Sequence, residues 1–318
     1  MSRLNDQSFN IIRKMKIPAR SPLRAVCRLA MTLIAGLILP FLHADYVVDT
    51  SFPQWPDGWT PAACPAVAID SEGNAFIFHR GETPILKFSA EGKFLDSFGS
   101  GHFDSSHGLR IDADGNIWAT DNKNHTIVKF DPKGHVLLTL GIRDVPKEDA
   151  LHFNRPADIA FGPKGELFIA DGYGNSRVVK ASKDGTFIKA WGTKGTGIAH
   201  FNLPHAIRLD SKGLVYVGDR ENDRIQVFTQ EGRFVRQFGG FAPFGLFITP
   251  DDILFVADGR SDKVIKMTLE GVVIEEWGQS GSGPGEFGMP HGITVDKKGA
   301  VYVAEINGQR VQKFIPKK

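Results

Sequence analysis

Hydrophobic and polar residues alternate along most of this chain in a unit that recurs. The middle of the unit reads apolar-x-apolar-Asp-x-x-Gly-x-apolar-x-apolar, as in residues 109–118 and 207–216. Alternation with a period of two is typical of β-strands, and the Asp-x-x-Gly step is typical of a tight turn. A second turn follows at pairs such as Lys133-Gly134 and Glu231-Gly232. Each unit therefore predicts four short antiparallel strands.

Six copies of this unit are present. The first five copies end in an aromatic or leucine residue followed by glycine, and these glycines are 39 to 51 residues apart. They are Gly99, Gly141, Gly192, Gly239 and Gly278, and the sixth copy runs from Phe287 to Phe314. One small four-stranded sheet cannot bury both of its faces alone, whereas six sheets packed around an axis can. The pattern predicts an all-β protein with a six-bladed β-propeller, because a linear β-solenoid would use much shorter repeats.

The ring needs one more strand than the repeats supply. The sixth copy contains only three strands before the chain reaches Lys318. We expect its fourth strand from the other end of the domain, around residues 46–52, because pairing there covers an exposed sheet edge. Residues 45–318 are thus predicted to form a single propeller domain closed by an N-terminal strand.

Residues 1–44 have a different character. They carry seven Lys/Arg and one acidic residue, then an apolar run of 13 residues over 30–42, and they end in Leu42-His43-Ala44. This order is typical of a secretory signal peptide, and translation from Met15 would give it an ordinary length. An uncleaved membrane anchor is the alternative, although the run contains Pro40 and is short for a bilayer span. We expect a secreted or periplasmic protein with no stable membrane span.

Without this segment the formal net charge of the chain changes from positive to negative. Residues 45–318 carry 31 basic and 35 acidic residues, a formal charge of −4. A mildly acidic protein is not expected to bind nucleic acid, which needs a concentrated basic face. The two cysteines are Cys27 and Cys64, and Cys27 would leave with the signal peptide. The mature chain is therefore expected to lack an internal disulfide bond.

Histidines recur at one position of the repeat. Five residues before the Asp of the first turn, or its equivalent, the six copies have Pro65, His107, Ala157, His205, Phe244 and His291. The first strand of each blade should line the central channel, so histidines from alternate blades would meet on the axis. Three imidazoles with a fourth position open are the usual form of a catalytic zinc site, although iron, copper or nickel also bind imidazole. A lone channel histidine would more often be a hydrogen-bonded structural residue.

Reactive side chains are expected around the same mouth of the channel. The turns between the second and third strands should lie there, and they contain Arg80, Tyr173 and Arg220. Arginine forms bidentate pairs with carboxylates. A tyrosine between a metal and an arginine would have a lowered pKa and could act as a base. The alternative is that these side chains make only turn contacts or solvated surface, as we expect for Lys123 and Arg260.

The motifs resemble a known family. The segments that carry the resemblance are Ser106-His107-Gly108-Leu109, Asp171-Gly172-Tyr173-Gly174-Asn175-Ser176-Arg177, Leu203-Pro204-His205, residues 219–226 and Met289-Pro290-His291. The repeats are similar to NHL repeats, and the set resembles the peptidyl-α-hydroxyglycine α-amidating lyases over residues 60–318. The resemblance implies a zinc-dependent lyase that cleaves the C–N bond of a peptidyl or N-acyl α-hydroxyglycine to a primary amide and glyoxylate.

The resemblance also implies roles for individual residues. His107, His205 and His291 correspond to the zinc ligands, Tyr173 and Arg80 to the catalytic tyrosine and arginine. Arg220 corresponds to a second arginine near the substrate and Met289 to a methionine of the pocket. In this scheme Arg80 stabilises Tyr173 as tyrosinate and Arg220 holds the substrate carboxylate.

A structural calcium ion is left open. Its implied ligands are the backbone carbonyls of Val67 and Leu109 and, in animal members of the family, an aspartate after the third histidine. That position is Gly292 in this chain. The family's animal members also have a cysteine where this chain has Gly174.

Other functions are compatible with the repeats. A non-catalytic NHL propeller that binds a peptide or cell-envelope ligand is the main alternative, because propellers serve many functions. A calcium-dependent lactonase would need acidic ligands on the axis, and the six aligned positions contain none. The expected partner is a small-molecule or peptide substrate, and the sequence makes no prediction of the oligomeric state.

Overall fold

The computed structural model describes residues 45–317, which form strands β1 to β26 and one short 3-10 helix at Arg220–Asn222. Blade 1 consists of β2 Ala66–Ile69, β3 Ala75–Phe78, β4 Ile85–Phe88 and β5 Phe94–Phe98. Blade 2 consists of β6 Ser106–Ile111, β7 Ile117–Asp121, β8 Thr126–Phe130 and β9 Val136–Leu140. Blade 3 consists of β10 Asp158–Phe161, β11 Leu167–Asp171, β12 Arg177–Ala181 and β13 Phe187–Trp191.

The second half of the chain follows the same plan. After the short strands β14 Thr193–Lys194 and β15 His200–Phe201, blade 4 consists of β16 Pro204–Leu209, β17 Val215–Asp219, β18 Arg224–Phe228 and β19 Phe234–Gly239. Blade 5 consists of β20 Pro243–Ile248, β21 Ile253–Asp258, β22 Lys263–Thr268 and β23 Val273–Trp277. Blade 6 consists of β24 Pro290–Val295, β25 Val301–Glu305, β26 Arg310–Pro316 and β1 Tyr46–Asp49.

The blades form a closed ring around a channel. Each blade is a four-stranded sheet in which successive strands are neighbours. The first strands touch all the way round, β2 with β6, β6 with β10, β10 with β16, β16 with β20, β20 with β24 and β24 with β2. These strands therefore line the axis, and the predicted six-bladed propeller is confirmed.

The ring closes through the N-terminal strand. In blade 6, β1 pairs with β26 in antiparallel register, from Tyr46 opposite Pro316 to Asp49 opposite Lys313. Tyr46 also stacks on Trp277 of blade 5, with ring centroids 4.8 Å apart. The predicted closure is therefore confirmed, and it joins the two ends of the described chain in one sheet.

The core lies between the blades. Six apolar clusters fill the six interfaces between neighbouring sheets. All five residues of β7 are buried, whereas most of β9 at the outside of the same blade is exposed or half-buried. Both faces of an inner strand are apolar because each blade is covered by a neighbour on both sides.

The recurring Asp-x-x-Gly step forms the predicted turn. In blade 2, the Asp112 carboxylate accepts backbone N–H groups from Asp114 at 3.0 Å and Asn116 at 2.9 Å. Gly115 has φ 84°, in the left-handed region that glycine adopts without strain. The motif therefore specifies where the first strand ends and the second begins.

The predicted signal peptide and Cys27 lie outside the described residues. Within residues 45–317, no helix is long and apolar enough to cross a bilayer. Cys64 is a free, buried cysteine, and burial raises the pKa of its thiol.

Candidate active site and metal centre

Three buried histidines meet on the channel axis. His107, His205 and His291 come from β6, β16 and β24, the first strands of alternate blades. Their ring centroids form a nearly regular triangle, with separations of 4.7, 4.7 and 4.8 Å. One nitrogen from each ring lies within 4.8 Å of the others, close enough to bind one metal ion. These residues are called the histidine triad below.

Backbone carbonyls orient all three rings in the same way. Nδ1 of His107 lies 2.7 Å from the carbonyl oxygen of Ala157, which is the equivalent residue of the next blade. His205 bonds Phe244 at 2.6 Å and His291 bonds Pro65 at 2.7 Å in the same manner. Because a carbonyl only accepts, each Nδ1 must donate its proton and each Nε2 keeps a free lone pair. This is how metal-binding histidines are usually held.

The strands can approach this closely because small residues follow the histidines. A Cβ atom at Gly108 would lie 2.6 Å from the carbonyl oxygen of Ala157, and one at Gly292 would lie 2.6 Å from that of Pro65. Larger residues at these two positions would push the neighbouring blade away. The glycines therefore permit the carbonyl contacts that orient the rings.

Burial keeps the triad uncharged. Burial lowers the pKa of His107 to about 3, the hydrogen bond to Ala157 offsets part of this, and Arg80 and Arg220 lower it further. The pKa values of His205 and His291 are lowered well below the usual range, again mainly by burial. Neutral imidazole is the form that binds metals. The donor set therefore fits zinc, the expected ion.

Tyr173 lies directly against the triad. Its hydroxyl oxygen is 3.0 Å from Nε2 of His107 and 3.0 Å from Nε2 of His205. Nη1 of Arg220 donates to the same oxygen at 3.1 Å. The tyrosine hydroxyl therefore lies beside the nitrogen atoms that would hold a metal.

The pKa of Tyr173 is raised by the protein groups around it. Burial has the largest effect, and the charges of Arg220, Arg80 and Arg155 act in the opposite direction. For a tyrosine between an arginine and a metal, a lowered pKa is expected instead. That lowering requires the added charge of a cation at the triad, because the three guanidinium groups alone do not outweigh burial.

Tyr173, Arg80 and Arg220 occupy equivalent places in three blades. Their backbone N–H groups donate to Arg155, Ala63 and Leu203 respectively, at 3.2, 3.0 and 3.1 Å. Each acceptor lies two residues before the aligned position that is a histidine in blades 2, 4 and 6. The repeat therefore brings these three side chains to the same mouth of the channel.

Gly172 allows the turn to pack against the next blade, which positions Tyr173 beside the triad. A Cβ atom at this position would lie only 1.9 Å from the carbonyl oxygen of Pro204 in the next blade. Any other residue would displace the turn, and Tyr173 would move with it.

The two predicted arginines differ in their contacts. Arg220 bonds the tyrosine oxygen and lies over the ring of Phe244, 4.6 Å from its centroid. Arg80 is exposed, and its Nε donates to the carbonyl oxygen of Ser106 at 3.4 Å. Arg80 is near enough to lower the pKa values of His107 and Tyr173, so both arginines serve the same site.

Met289 lies at the side of this mouth. It is half-buried, and its backbone N–H donates to the Asp262 carboxylate at 2.8 Å. With Asp262, Gly259 and Asn307 it lines a cleft of about 450 Å³.

Sequence reasoning missed Arg155. Its guanidinium lies 5.5 Å from the centroid of the Tyr173 ring, and its Nε donates to the carbonyl oxygen of Asn122 at 3.0 Å. Arg155 is equivalent to Leu203 and Met289 in the repeat, and all three have positive φ values, between 56° and 70°. The repeat alignment contained this signal two residues before the histidine position.

Buried acids hold the mouth turns in place. Asp171, at the end of β11, accepts the N–H of Asn154 at 2.9 Å, the Asn175 amide at 2.7 Å and Arg177 Nε at 2.9 Å. Asp219 makes the equivalent contacts in blade 4, to the Asn202 N–H, Asn222 and Arg224. The sequence motifs contained these residues, but their bracing role became evident only from the contacts.

The residues present do not fit a calcium ion. The carbonyl oxygen of Leu109 accepts a bond from Nη1 of Arg110 at 2.7 Å, so a positive charge already lies at that implied ligand. Gly292 supplies no carboxylate, and a Cβ there would also lie 2.7 Å from Cα of Ala66. Calcium requires six to eight oxygen ligands, usually including carboxylates.

Comparison with known proteins supports the family suggested by the motifs. The NHL repeat model matches residues 103–130, 153–181, 201–228 and 287–314, in blades 2, 3, 4 and 6. Human NHL repeat-containing protein 3 is 33% identical over 299 residues, covering 85% of this chain and 84% of the human protein.

Two relatives are named for amidation chemistry. Mouse peptidyl-glycine alpha-amidating monooxygenase is 32% identical over 325 residues, covering 86% of this chain and 32% of the mouse protein. Drosophila melanogaster peptidyl-alpha-hydroxyglycine alpha-amidating lyase 1 is 30% identical, covering 86% of this chain and 60% of the fly protein. The chain thus spans about a third of the length of the mouse monooxygenase.

A solved structure shares the architecture. A streptogramin B lyase aligns with a TM-score of 0.62 at 19% identity, covering 85% of this chain and 97% of that one. At this identity the likeness concerns the fold alone. With the NHL matches and the relatives above, the chain belongs to the NHL-repeat family that includes NHL repeat-containing protein 3 and the peptidyl-α-hydroxyglycine α-amidating lyases.

Proposed function

We propose that this protein is a zinc-dependent lyase that cleaves the C–N bond of an N-acyl or peptidyl α-hydroxyglycine. The products are a primary amide and glyoxylate. The observation that carries this proposal is the Tyr173 hydroxyl, which lies 3.0 Å from Nε2 of two triad histidines and 3.1 Å from Arg220. A general acid–base, a metal-binding set and an arginine that bonds the tyrosine oxygen thus meet at one point. Relatives named as amidating lyases support the same chemistry.

The histidine triad would hold the zinc ion through its three Nε2 atoms. Bound zinc would lower the pKa of a hydroxyl group at the triad and stabilise negative charge on its oxygen. The triad is suited to this because its rings are neutral, buried and fixed by the carbonyl contacts at Nδ1. The protein therefore does not need to reorganise to bind the ion.

Tyr173 would move the proton that the reaction requires. The C–N bond breaks and its electron pair goes to the amide nitrogen, while the hydroxyl oxygen forms the aldehyde C=O of glyoxylate. The hydroxyl proton must therefore reach the nitrogen, and a side chain touching both groups can accept and return it. No oxidant, reductant or organic cofactor is needed for this balance.

The two arginines would bind different groups, one the tyrosine oxygen and the other the substrate carboxylate. The resemblance assigns Arg80 to the tyrosine and Arg220 to the substrate carboxylate. The contact with the Tyr173 oxygen is made by Arg220, so we assign the tyrosine oxygen to Arg220. Arg80 is exposed at the mouth, and we assign it to the carboxylate of an incoming substrate.

The direct test is glyoxylate release from α-hydroxyhippurate by the zinc-loaded protein. We expect equal amounts of benzamide and glyoxylate, and loss of turnover when the metal is removed. His135, an exposed residue paired with Asp131, offers a matched control, and His135→Ala should keep full activity. Zinc-loaded protein that releases no glyoxylate from several N-acyl α-hydroxyglycines would reject the proposal.

A second candidate is a non-catalytic propeller that binds a peptide or cell-envelope ligand. It is favoured by human NHL repeat-containing protein 3, which matches this chain over most of both lengths and whose name states no activity. This reading predicts ligand binding without release of glyoxylate. Export through a cleaved N-terminal segment is part of both proposals, and N-terminal sequencing of the mature protein tests it.

A further inference from the structure

The channel contains a second charged level beyond the histidine triad. Arg110 and Arg208 each lie three residues after a triad histidine, in β6 and β16. Each strand has a register shift near its histidine, between Ser106 and Leu109 in β6 and between Pro204 and Ala206 in β16. Such bulges interrupt the alternation of side chains, so the arginines face the channel as the histidines do. Arg110 and Arg208 are called the arginine pair below.

One carboxylate is shared by both arginines. Asp158, at the start of β10, accepts Nη2 of Arg110 at 2.9 Å and Nη1 of Arg208 at 2.9 Å. Its side chain is 3% exposed, and those of the arginines are 13% and 10% exposed. Within residues 45–317 neither arginine forms a second ion pair, so the group keeps one unbalanced positive charge away from bulk water.

Two donors of this group have no hydrogen-bond partner among residues 45–317. They are Nε of Arg110 and Nη2 of Arg208, and both are buried. Buried donors in proteins are nearly always satisfied, by protein, water or ion, because an unpaired one is costly. Burial and, after it, the charge of Arg110 lower the pKa of Arg208 to about 9. A negatively charged ligand would relieve both the unpaired donors and the charge.

A cavity is present where such a ligand would bind. It has a volume of about 230 Å³ and is lined by both arginines, by Thr294 at the equivalent place in blade 6, and by apolar residues such as Phe161 and Phe247. It lies beyond the triad, along the direction in which the first strands run away from the mouth. The apolar wall favours a weakly hydrated ion over a strongly hydrated one.

We propose that this cavity is a binding site for a small anion, held by the free donors of Arg110 and Arg208. The ligand chemistry is a single negative charge of small size, supplied by a halide or by a short carboxylate. This site is separate from the histidine triad and is independent of the proposed lyase activity.

Bromide is the probe that locates the site. Crystals of the protein soaked in sodium bromide should show an anomalous peak within hydrogen-bond distance of Arg110 Nε and Arg208 Nη2. Soaks in sodium acetate should place a carboxylate on the same donors if the natural ligand is of that class. Crystals that show neither ion beside the arginine pair would overturn the proposal.

Thermal unfolding provides the solution measurement. An anion at ten times its dissociation constant should raise the melting temperature by about 3 °C for a protein of this size. Sodium bromide and sodium acetate are compared with sodium sulfate at equal ionic strength. Whichever of the two monovalent anions acts at the lower concentration identifies the ligand class. Equal effects of all three salts would contradict a specific site.

Two variants at the site should change anion binding in opposite directions. Arg208→Met leaves a neutral Arg110–Asp158 pair, so the bromide peak and the rise in melting temperature should be lost. Asp158→Asn leaves two guanidinium groups without a carboxylate, so the dissociation constant for bromide should fall at least about threefold. Arg143→Met is the matched control, because Arg143 is exposed and pairs with Asp104 at the surface. Arg208→Met that binds bromide as wild type does would reject the assignment.

Discussion

The histidine triad and the arginine pair lie on the same strands but have opposite chemistry. His107 and Arg110 are both on β6, and His205 and Arg208 are both on β16. Each imidazole donates its Nδ1–H in a hydrogen bond to a backbone carbonyl of a neighbouring blade and remains neutral, so it presents the Nε2 lone pair to the axis. The guanidinium groups keep their charge and present N–H donors. A distance of three residues therefore separates a level suited to a cation from one suited to an anion.

The difference arises from what the neighbouring blades contribute. At the triad each neighbour offers a backbone carbonyl to Nδ1 of the histidine, from Ala157, Phe244 or Pro65. At the arginine pair one blade offers the Asp158 carboxylate, and blade 6 offers the uncharged Thr294. The imidazoles and their carbonyl contacts repeat with three-fold symmetry at the first level, whereas the side chains of the second level do not. A symmetric set of three identical ligands suits a metal ion. At the second level two arginines share one carboxylate, so a net positive charge remains.

The largest effect is expected from the loss of one imidazole, which should greatly weaken metal binding at the triad and leave anion binding at the arginine pair unchanged. His205→Ala removes a ligand and should reduce zinc affinity by more than about 100-fold, with glyoxylate release falling to background. Metal analysis of the dialysed protein and the α-hydroxyhippurate assay measure the two effects. The bromide-dependent rise in melting temperature should survive, because Arg110, Arg208 and Asp158 are unchanged. Stoichiometric zinc in His205→Ala would show that the triad is not the metal centre.

Loss of the tyrosine hydroxyl should stop turnover without loss of metal. Tyr173→Phe keeps the ring but removes the oxygen that lies 3.0 Å from two imidazoles. General acid–base catalysis contributes about 10²- to 10⁴-fold, and kcat should fall by that factor. Zinc content should equal that of the wild type. A variant that retains more than about a tenth of kcat would rule out Tyr173 as the group that moves the proton.

A smaller effect is expected from displacing Tyr173 while keeping it. Gly172→Ala places a methyl group against the carbonyl oxygen of Pro204, so the turn must shift. A misplacement of about 1 Å can cost roughly 100-fold in rate, and we expect kcat to fall by about 10- to 100-fold. Gly197→Ala is the control, since Gly197 is exposed and its Cβ would meet only the His200 side chain, at 3.2 Å. Equal activity of the two variants would contradict the positioning role of Gly172.

The repeat explains why so much of this site could be predicted from sequence. Ring closure by residues 46–49 and the six blades follow from counting strands, since an incomplete sixth copy needs a partner. His107, His205 and His291 share one position in the repeat. Their convergence on the axis could therefore be predicted once the number of blades was known. Arg80, Tyr173 and Arg220 likewise share one position at the mouth.

The rest depended on features that alternation does not encode. Arg110 and Arg208 follow β-bulges, and a strictly alternating strand would not place a residue three positions after the histidine on the same side. Arg155 reaches Tyr173 from a loop residue with φ 63°, a backbone state that the side-chain pattern does not indicate. The choice of Arg220 as the partner of Tyr173 depends on side-chain reach, which the repeat alone does not determine.

The smallest effect is expected from calcium ions, which test whether the level of the arginine pair can bind a cation. The arginine pair places positive charge where the carbonyl oxygen of Leu109 would otherwise be free, and the space between the triad and Asp158 is only about 10 Å³. A calcium ion there would lie against the Arg110 guanidinium group, with the Asp158 carboxylate nearby. Millimolar calcium chloride should therefore change the melting temperature of the zinc-loaded protein by less than about 1 °C relative to magnesium chloride. A rise of several degrees with calcium alone, or calcium retained in stoichiometric amount after dialysis, would mean that the arginine pair moves aside for a cation. In that case the arginine pair would not keep its positive charge in the channel, and the assignment of an anion-binding level beside the triad would be contradicted.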